Sequence, residues 1–147
     1  MPYTISEHRH RFAVWAGARA AQRAFTSVKN LRDALEATTL CAFLDDQAAL
    51  AMDAATYETN HRIWCNQIVE FLKARGVASP TFGRAAKLVA VYVKSMIVVG
   101  PHSDSSLASV AHPPIDRILL QNLASSQKIQ SIYKSAWRAV AWTQLTE

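Results

Sequence analysis

The chain has 147 residues, half of them hydrophobic, which suits one domain with a single core and excludes a disordered chain. Only four glycines and five prolines are present, so long helices joined by short turns are favoured over a strand-rich sandwich. Arg and Lys outnumber Asp and Glu by five to one over residues 1–30 and nine to three over 71–147, but stand at two to seven over 31–70. An acidic middle between basic ends fits a face for polyanions, nucleic acid first; ordinary solvated charge is the plain alternative.

The elements follow in chain order. Thr4 and Glu7 read as a capping box for a first helix over 5–24. Phe12, Trp15, Ala16, Arg19 and Ala20 recur at helical spacing and mark its expected packing face, with Arg9, Arg11, Arg19 and Arg23 along the polar edge. Thr26 or Ser27 caps a second helix over 28–37, with Val28, Leu31 and Leu35 inward. A short helical turn is expected over 40–44, and Asp45 and Asp46 open a linker that ends near Asp53. Asp53 then caps a long third helix over 54–75, closed by Gly76. Tyr57, His61, Trp64, Ile68, Phe71 and Leu72 mark its buried side.

A turn through Ser79-Pro80 leads to a fourth helix over 81–99. It is apolar around nearly its whole circumference, as a helix at the centre of a bundle is. A loop follows through His112, and Pro114 suits the first position of a fifth helix whose core face is Ile115, Ile118, Leu119 and Leu123. Ser125 or Ser126 caps a sixth helix carrying Ile129, Ile132, Tyr133, Trp137 and Val140. The fold expected is an all-α bundle of about six helices, one domain over 1–147, around the central helix 81–99. No run of about 20 apolar residues and no signal core appear, so a cytoplasmic protein with no membrane partner is expected.

Cys41 and Cys65 cannot make a disulfide framework. His61 and Cys65, four apart, have metal-ligand spacing, but a closed zinc site needs four ligands, so packing is the favoured reading and no metal or cofactor is expected. The fourth helix holds three charges, Arg84, Lys87 and Lys94, which at 100° per residue fall in one stripe with Val91. Such a stripe must reach water, an anion or an acidic partner, and snorkelling lysines are the ordinary case. A lysine in a dry setting has a further use, because desolvation and nearby cations leave a neutral amine that attacks carbon. Asp116, in His112-Pro113-Pro114-Ile115-Asp116-Arg117, is the candidate carboxylate beside it, although an aspartate in a first helical turn is favourable through the helix dipole alone.

The run Phe82-Gly83-Arg84-Ala85-Ala86-Lys87-Leu88-Val89-Ala90-Val91-Tyr92-Val93-Lys94, with the later Pro113-Pro114-Ile115-Asp116-Arg117, resembles the lysine-bearing helix and proline–hydrophobic–aspartate motif of helix-hairpin-helix DNA glycosylases, the archaeal 8-oxoguanine glycosylases above all. The resemblance covers about residues 71–124. Gly76 and Gly83 stand farther apart than that family's hairpin glycines, and isoleucine replaces its valine at 115. It implies a base-excision enzyme, a DNA N-glycosylase and AP lyase, with Lys87 as Schiff-base nucleophile and Asp116 as catalytic carboxylate. The implied partner is double-stranded DNA with a damaged base, its phosphates held by Arg84, Lys94, Arg117, Arg19 and Arg23. His112, Tyr92, Trp64 and Trp15 are the expected pocket residues. A non-enzymatic helical module that binds nucleic acid or protein explains the charge asymmetry equally, and a homodimer would use the apolar excess as an interface.

Overall fold

A computed structural model describes residues 3–128 and 130–146. Among the described residues there are eight α-helices and no strand: α1 (Ile5–Gln22), α2 (Val28–Glu36), α3 (Leu40–Leu44), α4 (Ala54–Ala74), α5 (Phe82–Val93), α6 (Ser106–Val110), α7 (Arg117–Ser125) and α8 (Ser131–Ala139). A 3₁₀ turn spans Gln47–Ala51, another Trp142–Gln144, and a π-helical turn, Lys94–Val98, extends α5.

The expected starts of the major helices hold because short polar side chains satisfy the orphan N–H groups of a first turn. Thr4 Oγ1 accepts from Glu7 N–H at 3.1 Å, Ser27 Oγ from Asn30 at 3.0 Å, and Asp53 Oδ1 from Thr56 at 2.8 Å. The Glu7 carboxylate pairs with Arg11. Gly76 ends α4 with φ of +73°, the left-handed conformation that glycine adopts without a Cβ penalty.

α5 is the central helix. It packs on α1, α2 and α4, and the 3₁₀ turn at Trp142–Gln144 crosses its start. The α1–α5 contact is the largest, and the two helices run antiparallel: His10 reaches Tyr92, Gly17 faces Leu88, and Phe25, just past α1, lies under Arg84. A Cβ built on Gly17 would stand 3.0 Å from Leu88 Cδ1 and 3.1 Å from the Leu88 carbonyl oxygen, so the close approach needs the missing side chain.

Close packing turns α1 away from the expected face. Its buried residues are the small ones, Ala13, Val14, Gly17, Ala18 and Ala21, while Phe12 and Trp15 are more than half exposed. Leu31 and Leu35 of the expected α2 stripe and most of that of α4 are buried, while Val28 is half-buried. Further expectations are corrected. The 45–53 linker contains a 3₁₀ turn, because Asp46 Oδ1 accepts from Ala48 N–H at 2.9 Å and starts one. The loop before His112 contains α6, capped by Ser105.

The fifth expected helix starts later than Pro114: the chain stays extended until Asp116, whose Oδ1 accepts from Leu119 N–H at 2.8 Å, so α7 begins at Arg117. The buried residues of α7 are Leu120 and Ala124, whereas Ile118 and Leu119 of the expected core face are exposed and Leu123 is half-buried. Neither Ser125 nor Ser126 caps the last helix: α8 begins at Ser131 behind Gln130. None of its residues is buried, with Ile132 and Tyr133 exposed and Trp137 half-buried. Ile129 lies outside the described residues. No helix among the described residues is long and apolar enough to cross a membrane.

Candidate functional site

Lys87 is buried on α5, which is unusual for a cation, and it forms no ion pair within 4.0 Å among the described residues. Burial holds its amine below the usual lysine range, the guanidinium of Arg23 pushes in the same direction, and the Asp116 carboxylate pulls the other way. α1 ends at Arg23 because the chain turns there with positive φ at Arg23 and Ala24, and the antiparallel packing sets this end beside the first half of α5. Asp116 is placed by its own capping bond at the start of α7. The structure therefore brings Lys87, Arg23 and Asp116 into one neighbourhood.

Residues 112–116 run back along α5. His112, Pro113 and Pro114 share a small cavity with Lys94 and Val98 at one end, Ile115 faces Ala86 and Ala90 further along, and Asp116 comes within electrostatic reach of Lys87. The extended conformation expected around two consecutive prolines makes this segment a strap laid on the helix.

The cations sort into two sets. Arg11 pairs with Glu7; Lys29, Arg32 and Arg75 all converge on Asp33; Lys73 pairs with Glu70. Those three cations hold the Asp33 carboxyl far below the usual carboxylate range. By contrast, Arg9, Arg19, Arg23, Lys87, Lys94, Arg117, Lys128, Lys134 and Arg138 have no carboxylate within 4.0 Å among the described residues. The neutralised set lies mainly on α2 and α4, and the other along α1, on α5 and its π turn, and on α7, α8 and the segment between them.

Arg84 belongs to neither set. Its guanidinium lies over the Phe25 ring at 4.0 Å, and its Nε and Nη1 are buried without a hydrogen-bond partner. Of the expected phosphate contacts, Lys94 and Arg117 are exposed near the strap, and Arg19 and Arg23 are exposed on α1, with Arg19 bonded to Gln22.

The four expected pocket residues are dispersed. Trp64 is fully buried in the core against Tyr57 and Phe43. Tyr92 is buried, its hydroxyl 2.8 Å from His10 Nδ1, and it edges a polar hollow with Thr4 and Asp45. Trp15 stands on the outer face of α1 in a groove with Val28 and Arg32. His112 alone lies by the strap. It walls a cavity of about 260 Å³ together with His61, Ala86, Ala90, Pro113, Ile115 and Trp142.

Of those wall residues only His112 was expected in a pocket, and Trp142 comes from farthest away in the chain. The signal for Trp142 lies in Gly83, sixty residues earlier, whose missing side chain leaves room for the Trp142 carbonyl. His61 sits edge-on to His112, with ring centroids 4.6 Å apart, and its Nε2 is 3.7 Å from Cys65 Sγ. Burial first, then the charge of His112, pushes His61 down to about 4. Among the described residues no group of three or more His, Cys, Asp or Glu is arranged to hold a metal ion. No protein-family model, curated protein or solved structure matches the chain.

Proposed function

We propose that this is a helical nucleic-acid-binding protein whose contact face is the basic seam of exposed cations beside α5, Arg19, Arg23, Lys94 and Arg117, with Lys87 buried in the helix itself. The observation that carries the reading is the sorting of charge: acidic side chains neutralise the cations of α2 and α4 and leave those around α5, α7 and α8 unpaired. Phosphate oxygens supply what those cations lack, and an array of them gives sequence-independent affinity by counterion release. A gel-shift titration of the protein on a short DNA duplex at 50 and 200 mM salt tests it. Affinity is expected to fall at least tenfold between the two; a salt-independent affinity, or no binding at the lower salt, overturns the reading.

A second reading adds chemistry to the same face. Its support is the buried amine of Lys87, pushed toward its neutral form by burial, with the charge of the Asp116 carboxylate felt at the amine. In the reaction that the glycosylase resemblance implies, the Lys87 nitrogen bonds to the sugar C1′ as the bond to the base breaks. The base leaves with the electron pair and takes up a proton. The attached amine gives up two protons, one to the departing base and one to O4′ as the C1′–O4′ bond breaks and the ring opens to an imine, and Asp116 steadies the cationic stage. Borohydride reduces such an imine to a stable cross-link. Incubation with an 8-oxoguanine duplex and borohydride is expected to give a covalent adduct that Lys87→Ala abolishes; no adduct, or one that survives the substitution, removes this reading and leaves the binding face standing.

A further inference from the structure

We propose that the cavity of about 260 Å³ between α4, α5 and the strap is a binding site for a neutral, planar heteroaromatic ring. The floor is made by Ala86 and Ala90, one helical turn apart on α5, where any larger side chain would fill the space. A dry apolar cavity of about 150 Å³ accepts benzene, so this one has room for one or two fused rings. His61, His112 and Trp142 supply ring walls, against which a flat ligand packs face or edge.

No Asp, Glu, Lys or Arg lines the cavity, and Glu58 already answers any charge on His112, so an ion entering it would lose its water without gaining a free partner, and the ligand is therefore uncharged. The two imidazoles bring ring nitrogens, which favours a heterocycle with a hydrogen-bonding edge over a pure hydrocarbon. His112 is steadied by Glu58, with Nε2 and Oε2 at 3.1 Å, and by the Tyr57 ring at 5.0 Å, so this wall is fixed before a ligand arrives.

The other side is closed by Trp142, on a chain segment held at the start of α5. Gly83 N–H donates to the Leu145 carbonyl at 3.0 Å, and the Thr81 hydroxyl donates to the Thr143 carbonyl. The site is independent of the basic seam, since its walls hold none of those cations. Two sources present the same chemistry, a free ring compound or a base carried by a nucleic-acid strand.

Isothermal titration of the full chain with indole, with adenine and with a single-stranded oligo-adenine separates them. The cavity-filling Ala90→Leu is the test variant, and Trp142→Ala, which removes one wall without entering the core, decides the matter should Ala90→Leu fail to fold by circular dichroism. Binding of indole or adenine that either folded variant weakens at least tenfold establishes a site for the free ring. Oligo-adenine binding that the variants weaken, without binding of the free rings, establishes a strand-borne ring. Binding of none of the three, or binding that the folded variants leave unchanged, overturns the proposal.

Discussion

The carbonyl oxygen of Trp142 lies 1.9 Å from where a β-carbon on Gly83 would stand. Only glycine allows the chain near residue 143 to lie on the first turn of α5, and backbone rather than a flexible side chain would have to yield to anything larger. Gly83→Ala is therefore expected to lift this segment away and cost about 1–3 kcal/mol. Thermal unfolding and tryptophan emission read both effects: a lower midpoint together with a red shift, as Trp142 moves into water. An unchanged emission spectrum would show that the segment does not rest there.

His61 should make the fold sensitive to mild acid. Its pKa is near 4 in the folded protein against about 6.5 in an unfolded chain, so the unfolded state binds the extra proton between those values. The stability it contributes is fully present above about pH 6.5 and is lost as pH falls toward 4, a span worth about 2–3 kcal/mol. Denaturant midpoints of the natural chain and of His61→Leu, followed from pH 7 to 4.5, isolate this share from Asp33 and the His112–Glu58 pair. Parallel curves for the two proteins would contradict it.

Lys87→Met separates stability from binding. The amine's pKa is lowered on folding, so its protonated form costs stability at neutral pH, and that cost is relieved only as pH rises past the folded value. A methionine of similar length removes the charge and keeps the packing, so the melting temperature is expected to hold or rise. DNA affinity and its salt slope should hold, because a buried amine reaches no phosphate, whereas exposed Lys94→Met should lower affinity by a similar factor for every sequence, with a salt slope shallower by about one. A loss of more than about 1 kcal/mol in stability would mean that the ammonium is satisfied in a way its surroundings do not reveal.

Gly17 sets the distance between α1 and α5. Gly17→Leu places a whole side chain against Leu88, where even a methyl group meets atoms at 3.0 and 3.1 Å, and should cost upward of about 2 kcal/mol by prising the helices apart. Urea denaturation measures the midpoint. A wild-type value would mean that α1 slides on α5 with little loss.

The long helices were legible because local chemistry decides them: Thr4, Ser27 and Asp53 cap where their residue types predict, and the apolar girth of α5 announces a central helix. Lys87 and Asp116 could be picked out from the sequence as candidates, and in the fold the charge of Asp116 acts on the buried amine. What periodicity could not reveal is contact across long stretches of chain. The meeting of Thr81 with Thr143 spans 62 residues, and with it Trp142 becomes a cavity wall. On α1 the pattern misled, because large aromatics at helical spacing look like core, whereas a neighbour that packs as closely as α5 selects alanines and glycine and leaves Phe12 and Trp15 outside.

The π turn after α5 is a helix with one residue to spare: Val99 N–H bonds back five residues to the Lys94 carbonyl at 2.9 Å. Deleting a single residue there would let an ordinary helix close, and the chain leaving at Val99 would swing round by about 100°. Everything that depends on that exit angle would turn with it, including α6 and the path by which His112 to Asp116 come back over the lysines. The spare residue thus acts as an aiming device, and the address of Asp116 is written more than fifteen residues upstream of it.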